Sequence, residues 1–165
     1  MAGNLGIPQL VTGRARDRRG DSHLPQRMSR ELVDVLGSMP LFAGLARRHL
    51  NRIAALATAK RFPPGTRIVK VGDPGEAFFV ILDGKVLVRA GGRRTVLGTG
   101  DFFGEMSLLD GRPRSATVIA QGEVLLMMVA RAKFQKLLVS EPRIAIAIMS
   151  TLSLRVRALQ DAACV

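Results

Sequence analysis

Glycine and proline punctuate the middle of this chain so often that no long helix fits there. Pro63-Pro64-Gly65 is followed by Gly72-Asp73-Pro74-Gly75, Asp83-Gly84, Gly91-Gly92, Gly98 and Gly100. Each is a turn signal, because glycine tolerates positive φ while proline fixes φ and removes a backbone donor. The segments between them are rich in β-branched residues or Phe: Thr66–Val71, Ala77–Leu82, Lys85–Arg89 and Thr95–Leu97, with Ala116–Ile119 and Val124–Val129 further on. Such residues favour a pleated, half-buried surface. Six or more short strands joined by tight turns describe an antiparallel sandwich or barrel, and argue against alternating β-α-β units.

Helical periodicity flanks this region. Upstream, Leu32, Val35 and Leu36 form one short apolar stripe, and Leu45, Leu50, Ile53, Ala54 and Ala57 form a second. This predicts a helical lead-in over residues 31–61, ended by the breakers after Arg61. Downstream, Phe134, Leu137 and Leu138 mark a short helix, Ser140 or Glu141 offers a cap for the next, and Pro142 suits its first turn. That last helix has Ile144, Ile148, Leu152, Arg155 and Leu159 at spacings of three and four, with Ile146, Met149, Leu154 and Val156 off the stripe. A helix that buries one face has no use for the second set. It either packs across the barrel or covers a partner chain or a ligand pocket.

Residues 1–30 carry six arginines (Arg14, Arg16, Arg18, Arg19, Arg27 and Arg30) against Asp17 and Asp21, a net +4, with sparse apolar residues. They read as a flexible basic arm: a solvated tail, or a docking arm for an acidic surface, lipid or nucleic acid. The domain proper is expected over 31–165, with a β-roll over 62–130 and C-terminal helices over 131–160.

Composition removes several functional classes. The 165 residues are 47% apolar, enough for one domain with a real core, and the 25 Lys+Arg against 13 Asp+Glu leave a charge of +12. A basic balance suits phosphate binding. With no Trp and no Tyr, any base-stacking platform has only Phe and two His to use. One cysteine, Cys164, and the histidines His23 and His49 cannot assemble a zinc site or a disulfide framework. The lone cysteine suits a reducing compartment, so a cytoplasmic location is expected. The longest apolar run, Val124–Ala130, is far shorter than the roughly 20 residues that cross a bilayer. Neither a Gly-x-Ser-x-Gly elbow nor a His-Glu-x-x-His pair is present. Gly98-x-Gly100-x-x-x-Gly104 has the wrong spacing for a dinucleotide loop. The usual catalytic signatures are missing, and no catalytic residue, metal or cofactor is expected.

One segment carries chemistry: Phe102-Phe103-Gly104-Glu105-Met106-Ser107-Leu108-Leu109-Asp110-Gly111-Arg112-Pro113-Arg114-Ser115-Ala116-Thr117-Val118. Gly104 lets backbone approach a ligand closely, and Glu105–Leu109 is long enough for one helical turn whose free N–H groups would face an anion. Arg114, expected at the start of a strand, supplies a guanidinium for phosphate oxygens, and Ser115 adds a hydroxyl donor. Glu105 is odd in a pure anion site, but a carboxylate makes sense there as an acceptor for a ribose hydroxyl. Taken singly, Arg114 also reads as an arginine paired with Asp101 or Asp110, and Glu105 as an acid favoured by a helix N-terminus.

Read in order, Phe-Gly-Glu-Met-Ser-Leu-Leu through Pro-Arg-Ser-Ala-Thr-Val resembles the phosphate-binding cassette of cyclic nucleotide-binding domains, over residues 102–118. Val71-Gly72-Asp73-Pro74-Gly75-Glu76-Ala77-Phe78-Phe79-Val80-Ile81-Leu82-Asp83-Gly84 resembles that family's Gly-Asp-x-Gly turn, strand and hairpin, and Pro40-Leu41-Phe42 its helical lead-in. The resemblance covers roughly 38–160. It implies an α+β, mainly β fold: an eight-stranded antiparallel β-barrel or jelly roll (double-stranded β-helix) with N-terminal helices, a short cassette helix and two C-terminal helices.

The resemblance also implies roles. Glu105 would accept from the ribose 2′-hydroxyl, Arg114 would pair with the exocyclic phosphate oxygens, and the N–H groups of Gly104 and Ser107 would lie against ribose and phosphate. Met106, Ser115 and Ala116 would complete the contacts; threonine at position 115 would go with cGMP, and serine leaves the choice of base open, with cAMP somewhat favoured. Leu154 and Arg155 would cover the base. The chain would then be a cyclic nucleotide sensor whose C-terminal helices move on binding, with Leu108 and Leu109 repacking against the helix of Phe134 and Leu137. Its partner would be a protein or a second copy, engaged through the C-terminal helices. Because the chain ends at Val165, no length remains for a DNA-reading helix-turn-helix, so a stand-alone receptor or a sensor fragment is expected. The competing readings are a transcriptional regulator of the activator type whose basic arm touches nucleic acid, and a degenerate module that binds nothing.

Overall fold

The computed structural model describes residues 26–163. The basic arm thus lies outside the described residues up to position 25, and residues 26–30 belong to the first helix. In chain order the elements are α1 (Gln26–Ser38), a 3-10 turn (Pro40–Phe42), α2 (Arg47–Ala54), β1 (Thr58–Phe62), β2 (Arg67–Val69), β3 (Ala77–Ala90), β4 (Arg93–Leu97), β5 (Phe102–Phe103), α3 (Ser107–Asp110), β6 (Thr117–Ala130), α4 (Arg131–Ser140) and α5 (Pro142–Ala163). The six strands form one antiparallel sheet in the order β1-β6-β3-β4, with β2 added to β6 and β5 added to β3.

The long strands β3 and β6 are the spine, paired from Ala77↔Ala130 to Arg89↔Thr117. Side chains alternate across a strand, so the buried run Ala77–Ile81 serves two cores at once. Phe78 and Val80 enter a helix-facing core with Leu32, Leu36, Phe42, Ile53, Leu108, Phe134 and Ile144. Phe79 and Ile81 face the inside of the roll with Val86, Phe103, Val118, Val124 and Leu126. Because both faces of this strand are covered, its sequence shows no polar alternation.

Two sequence expectations change here. The helical lead-in does not run to Arg61: α2 stops at Ala54, and Thr58–Phe62 pairs in register with Met128–Val124. The exposed positions of that strand resemble a helix surface, and its pairing partners lie 62 to 70 residues away, from Phe62↔Val124 to Thr58↔Met128. Of the eight strands expected from the family resemblance, the described residues form six, since Ala77–Leu82 continues into Lys85–Arg89 and the segments either side of Gln121-Gly122-Glu123 form one strand. Asp83-Gly84 is therefore not a hairpin turn but a register shift within β3. Gly84 sits at φ 92°, and a Cβ there would lie 2.5 Å from the Glu123 carbonyl oxygen. Gly84→Ala is expected to destabilise the roll by about 1–3 kcal/mol, read as a lowered denaturation midpoint with no change at the ligand cavity.

At the C-terminal end, the two helices expected around Phe134 and from Pro142 are both present. The Ser140 hydroxyl donates back to the Leu137 carbonyl at 3.0 Å, and the Glu141 carbonyl accepts the Ile144 N–H at 3.0 Å at the start of α5. Ile144 and Ile148 of α5 are fully buried, but from Ser153 onward every described residue of that helix is exposed.

Candidate functional site

The residues expected to bind ligand come together. A cavity of about 420 Å³ is walled by Gly104, Glu105, Met106, Ser107, Arg114, Ser115 and Ala116, together with Asp110, Arg112 and Pro113 from the same segment. Its floor is apolar: Val69 of β2, Val88 of β3 and Val118 of β6, with Phe102 and Phe103 at one side. The volume falls within the roughly 300–1,000 Å³ range of small-molecule sites.

Arg114 is the most constrained polar group in the wall, 8% exposed. It lies on the loop before β6 rather than at the start of a strand. Its N–H donates to the Asp73 carbonyl at 2.7 Å, and its own carbonyl accepts from Gly72 at 2.8 Å, so the Gly72-Asp73 turn clamps it from both sides. The guanidinium donates through Nη2 to the Ala77 carbonyl and through Nη1 to Ser107 Oγ at 3.4 Å. Its carbon sits 5.7 Å from the centre of the Phe79 ring, which stacks on Phe103. Nε is buried without a partner.

No carboxylate neutralises this cation among the described residues. Asp101 accepts from the Gly98 N–H and Asp110 from the Arg112 N–H, so neither forms the ion pair with Arg114 that the sequence left open. Burial pushes the Arg114 pKa below the usual arginine value, with the more distant charges of Asp73 and Glu76 opposing that shift. Even so, a guanidinium stays protonated at physiological pH. A desolvated cation held by neutral acceptors beside an open cavity is short of one anion.

Close approach of backbone makes this geometry possible. Gly104 has φ 81°, in the left-handed region, and a Cβ on it would clash with Arg114 Nη1. A Cβ on Gly75 would lie 2.5 Å from both Ser107 Oγ and the Arg112 carbonyl oxygen, so the turn before β3 is packed directly on the cassette.

The other residues fill less constrained positions. Glu105 is half-buried, and its carboxylate makes no hydrogen bond or ion pair among the described residues. Met106 is 47% exposed and precedes α3. The expected role of the Ser107 N–H is not available here, because it turns back to the Gly104 carbonyl at 3.3 Å; the hydroxyl is the Ser107 group directed at Arg114. Ser115 is exposed and Ala116 half-buried. Leu154 and Arg155 are not brought to the site: both are exposed on the projecting part of α5 and neither lines the cavity. Their spacing on the helix fixed a stripe, but not where the helix points.

Sequence reasoning missed the valine floor and the groups that hold Arg114. Val69, Val88 and Val118 were visible only as strand residues. The Ala77 acceptor is a backbone carbonyl, which leaves no trace in side-chain identity.

The model of the family described as "Cyclic nucleotide-binding domain" matches residues 59–141. The chain belongs to the cyclic nucleotide-binding domain family. A cyclic nucleotide-gated potassium channel of Mesorhizobium japonicum is 40% identical over 111 residues, 67% of this chain and 31% of the channel. A cAMP-dependent protein kinase regulatory subunit of Pyricularia oryzae is 36% identical over 64% of this chain and 28% of its own length. The chain thus spans about a third of the length of these curated relatives. Among solved structures, the N-terminal domain of a transcriptional regulator from Streptomyces coelicolor aligns with TM-score 0.69 and 33% identity, over 78% of this chain and 94% of that one. The regulatory domain of a Toxoplasma gondii protein kinase A, crystallised with cAMP, aligns with TM-score 0.62 and 27% identity, over 70% and 46%. The kinase relative is named a regulatory subunit, and the Toxoplasma structure a regulatory domain. Among the described residues no single helix is long and apolar enough to cross a membrane, and no cluster of three or more His, Cys, Asp or Glu could hold a metal.

Proposed function

We propose that this chain is a cyclic nucleotide receptor, favouring cAMP over cGMP, that binds the cyclic phosphate at Arg114 and relays occupancy to its C-terminal helices. The observation that carries this reading is the buried Arg114 guanidinium, held in place by neutral acceptors and lacking an anion. A cyclic phosphate in the cavity would supply the missing charge through bidentate, charge-assisted hydrogen bonds. Glu105, which lines the same cavity and is unpaired among the described residues, would accept from the ribose 2′-hydroxyl. Met106, Ser107, Ser115 and Ala116 would complete the contacts, and the valine floor would take the apolar face of the sugar. The cAMP preference is supported by the kinase regulatory relatives and by serine at position 115. No catalytic role is proposed for any residue.

The relay would begin at Leu108. It is fully buried in the same core as Phe134 and Leu137 of α4, so the cassette cannot shift without repacking against that helix. The output would be a protein partner or a second copy of this chain. Ile146, Met149, Leu154, Val156 and Leu159 leave an apolar surface exposed on α5 for it. A cytoplasmic location would fit such a role.

Calorimetric titration of the chain with cAMP and with cGMP tests the reading. Heat corresponding to micromolar or tighter binding of cAMP, with cGMP weaker, is expected; no heat from either nucleotide overturns it. Glu105→Ala is expected to weaken cAMP binding by about ten- to a hundredfold, the value of one hydrogen bond to a charged acceptor. Glu105→Gln, which retains a carbonyl acceptor, is expected to lose less.

A further inference from the structure

The far end of the cassette meets a second arginine. Arg131, the first residue of α4, lies broadside against Gly111, the residue that closes α3 by donating its N–H to the Ser107 carbonyl at 3.1 Å. A Cβ on Gly111 would lie 2.7 Å from Arg131 Cζ, 2.9 Å from Nη2 and 3.0 Å from Nε, so only a bare backbone leaves room for the guanidinium. The Arg131 Nε is buried and has no hydrogen-bond partner. Its backbone N–H donates to the Glu76 carbonyl at 2.7 Å, in the turn whose Asp73 carbonyl holds the Arg114 N–H. One residue therefore touches the end of the cassette helix with its side chain, and the loop that anchors Arg114 with its backbone.

We propose that Arg131 is a positioning residue that transmits occupancy of the cavity from Gly111 to α4 and α5. Close packing gives the contact no slack, so Gly111 cannot move without moving the guanidinium or parting from it. The unpartnered Nε raises the energy of the present arrangement relative to one in which it finds an acceptor. An element with two arrangements of similar energy is what a ligand can bias. Arg131 opens the helix that carries Phe134 and Leu137 and leads directly into α5, so a shift in its backbone reorients both.

This inference rests on the nucleotide reading above, and the test separates the two. The wild-type chain, Arg131→Met, Arg131→Lys and Gly111→Ala are each titrated with cAMP by calorimetry and followed by amide hydrogen exchange with and without saturating cAMP. In the wild type, protection is expected to change both at residues 104–116 and in α4 and α5. Arg131→Met is expected to retain cAMP affinity within about threefold, to keep the change at 104–116 and to lose it in α4 and α5. Arg131→Lys, charged but without the planar group, does not restore it, and Gly111→Ala, strained at φ 62° and pushing the guanidinium aside, also loses the change in α4 and α5. A merely structural arginine would instead lower affinity, response and thermal midpoint together, and that outcome overturns the proposal. So does a wild-type-like α5 response in the variants, or a wild type that binds without any change in α4 or α5. If Arg131→Met fails to fold, the other two variants decide, and failure of all three assigns Arg131 to structure alone. Absence of heat from the wild type overturns the nucleotide reading, and this proposal with it.

Discussion

Replacing Arg114 with alanine is expected to lower cAMP affinity by at least about a hundredfold, because two charge-assisted hydrogen bonds worth roughly 1.5–3 kcal/mol each are lost together. The fold should survive. The cation is buried without a counter-charge, so its removal relieves a desolvation penalty while leaving the Ala77 carbonyl and the Ser107 hydroxyl without their donor. These effects oppose one another, and a midpoint shift of only a few degrees is expected in a thermal scan. Arg114→Lys is expected to lose most of the affinity too. A lysine ammonium cannot present the planar fork that reaches Ala77, Ser107 and a phosphate at the same time. Calorimetry beside thermal denaturation reads both quantities. A variant that binds cAMP as well as the wild type would mean that the phosphate does not sit on this arginine.

The cassette was legible because it is contiguous. Gly104 to Ala116 supplies every predicted wall residue from one short stretch, so spacing along the chain is nearly spacing in the cavity. The apolar periodicities of the flanking helices were legible for a similar reason, since Leu32, Leu36, Ile53, Phe134 and Ile148 repeat at local intervals and all reach the core. What depends on distant pairing was not legible. Thr58–Phe62 is a strand because β6 lies beside it, and nothing within Thr-Ala-Lys-Arg-Phe distinguishes an edge strand from the exposed turn of a helix. Asp83-Gly84 carries the same local signal as a hairpin turn; pairing with β6 on both sides of it makes it a register shift within one strand. The α5 stripe gave the residues that face one way but not the direction of the helix, so Leu154 and Arg155 were expected over a base they do not approach in this arrangement. In each case a tertiary contact chose between two readings that local chemistry allowed equally.

Gly104→Ala tests whether the cassette backbone and Arg114 work as one unit. At φ 81° an alanine carries a backbone cost of about 1–3 kcal/mol, and its methyl would clash with Arg114 Nη1. Relief comes from moving the turn or moving the guanidinium, and both part Arg114 from Ala77 and Ser107. The expected result is a loss of cAMP affinity close to that of Arg114→Ala and larger than that of Glu105→Ala, together with a lowered thermal midpoint. Met106→Ala, two residues along and half-exposed, should change affinity little. The decisive comparison is the double variant. If Gly104 acts by seating Arg114, adding Gly104→Ala to Arg114→Ala lowers affinity hardly further, because the group it displaces is already gone. If the two losses add in full, Gly104 contributes through its own approach to the ligand, and the tight packing of its backbone on the arginine is incidental to binding.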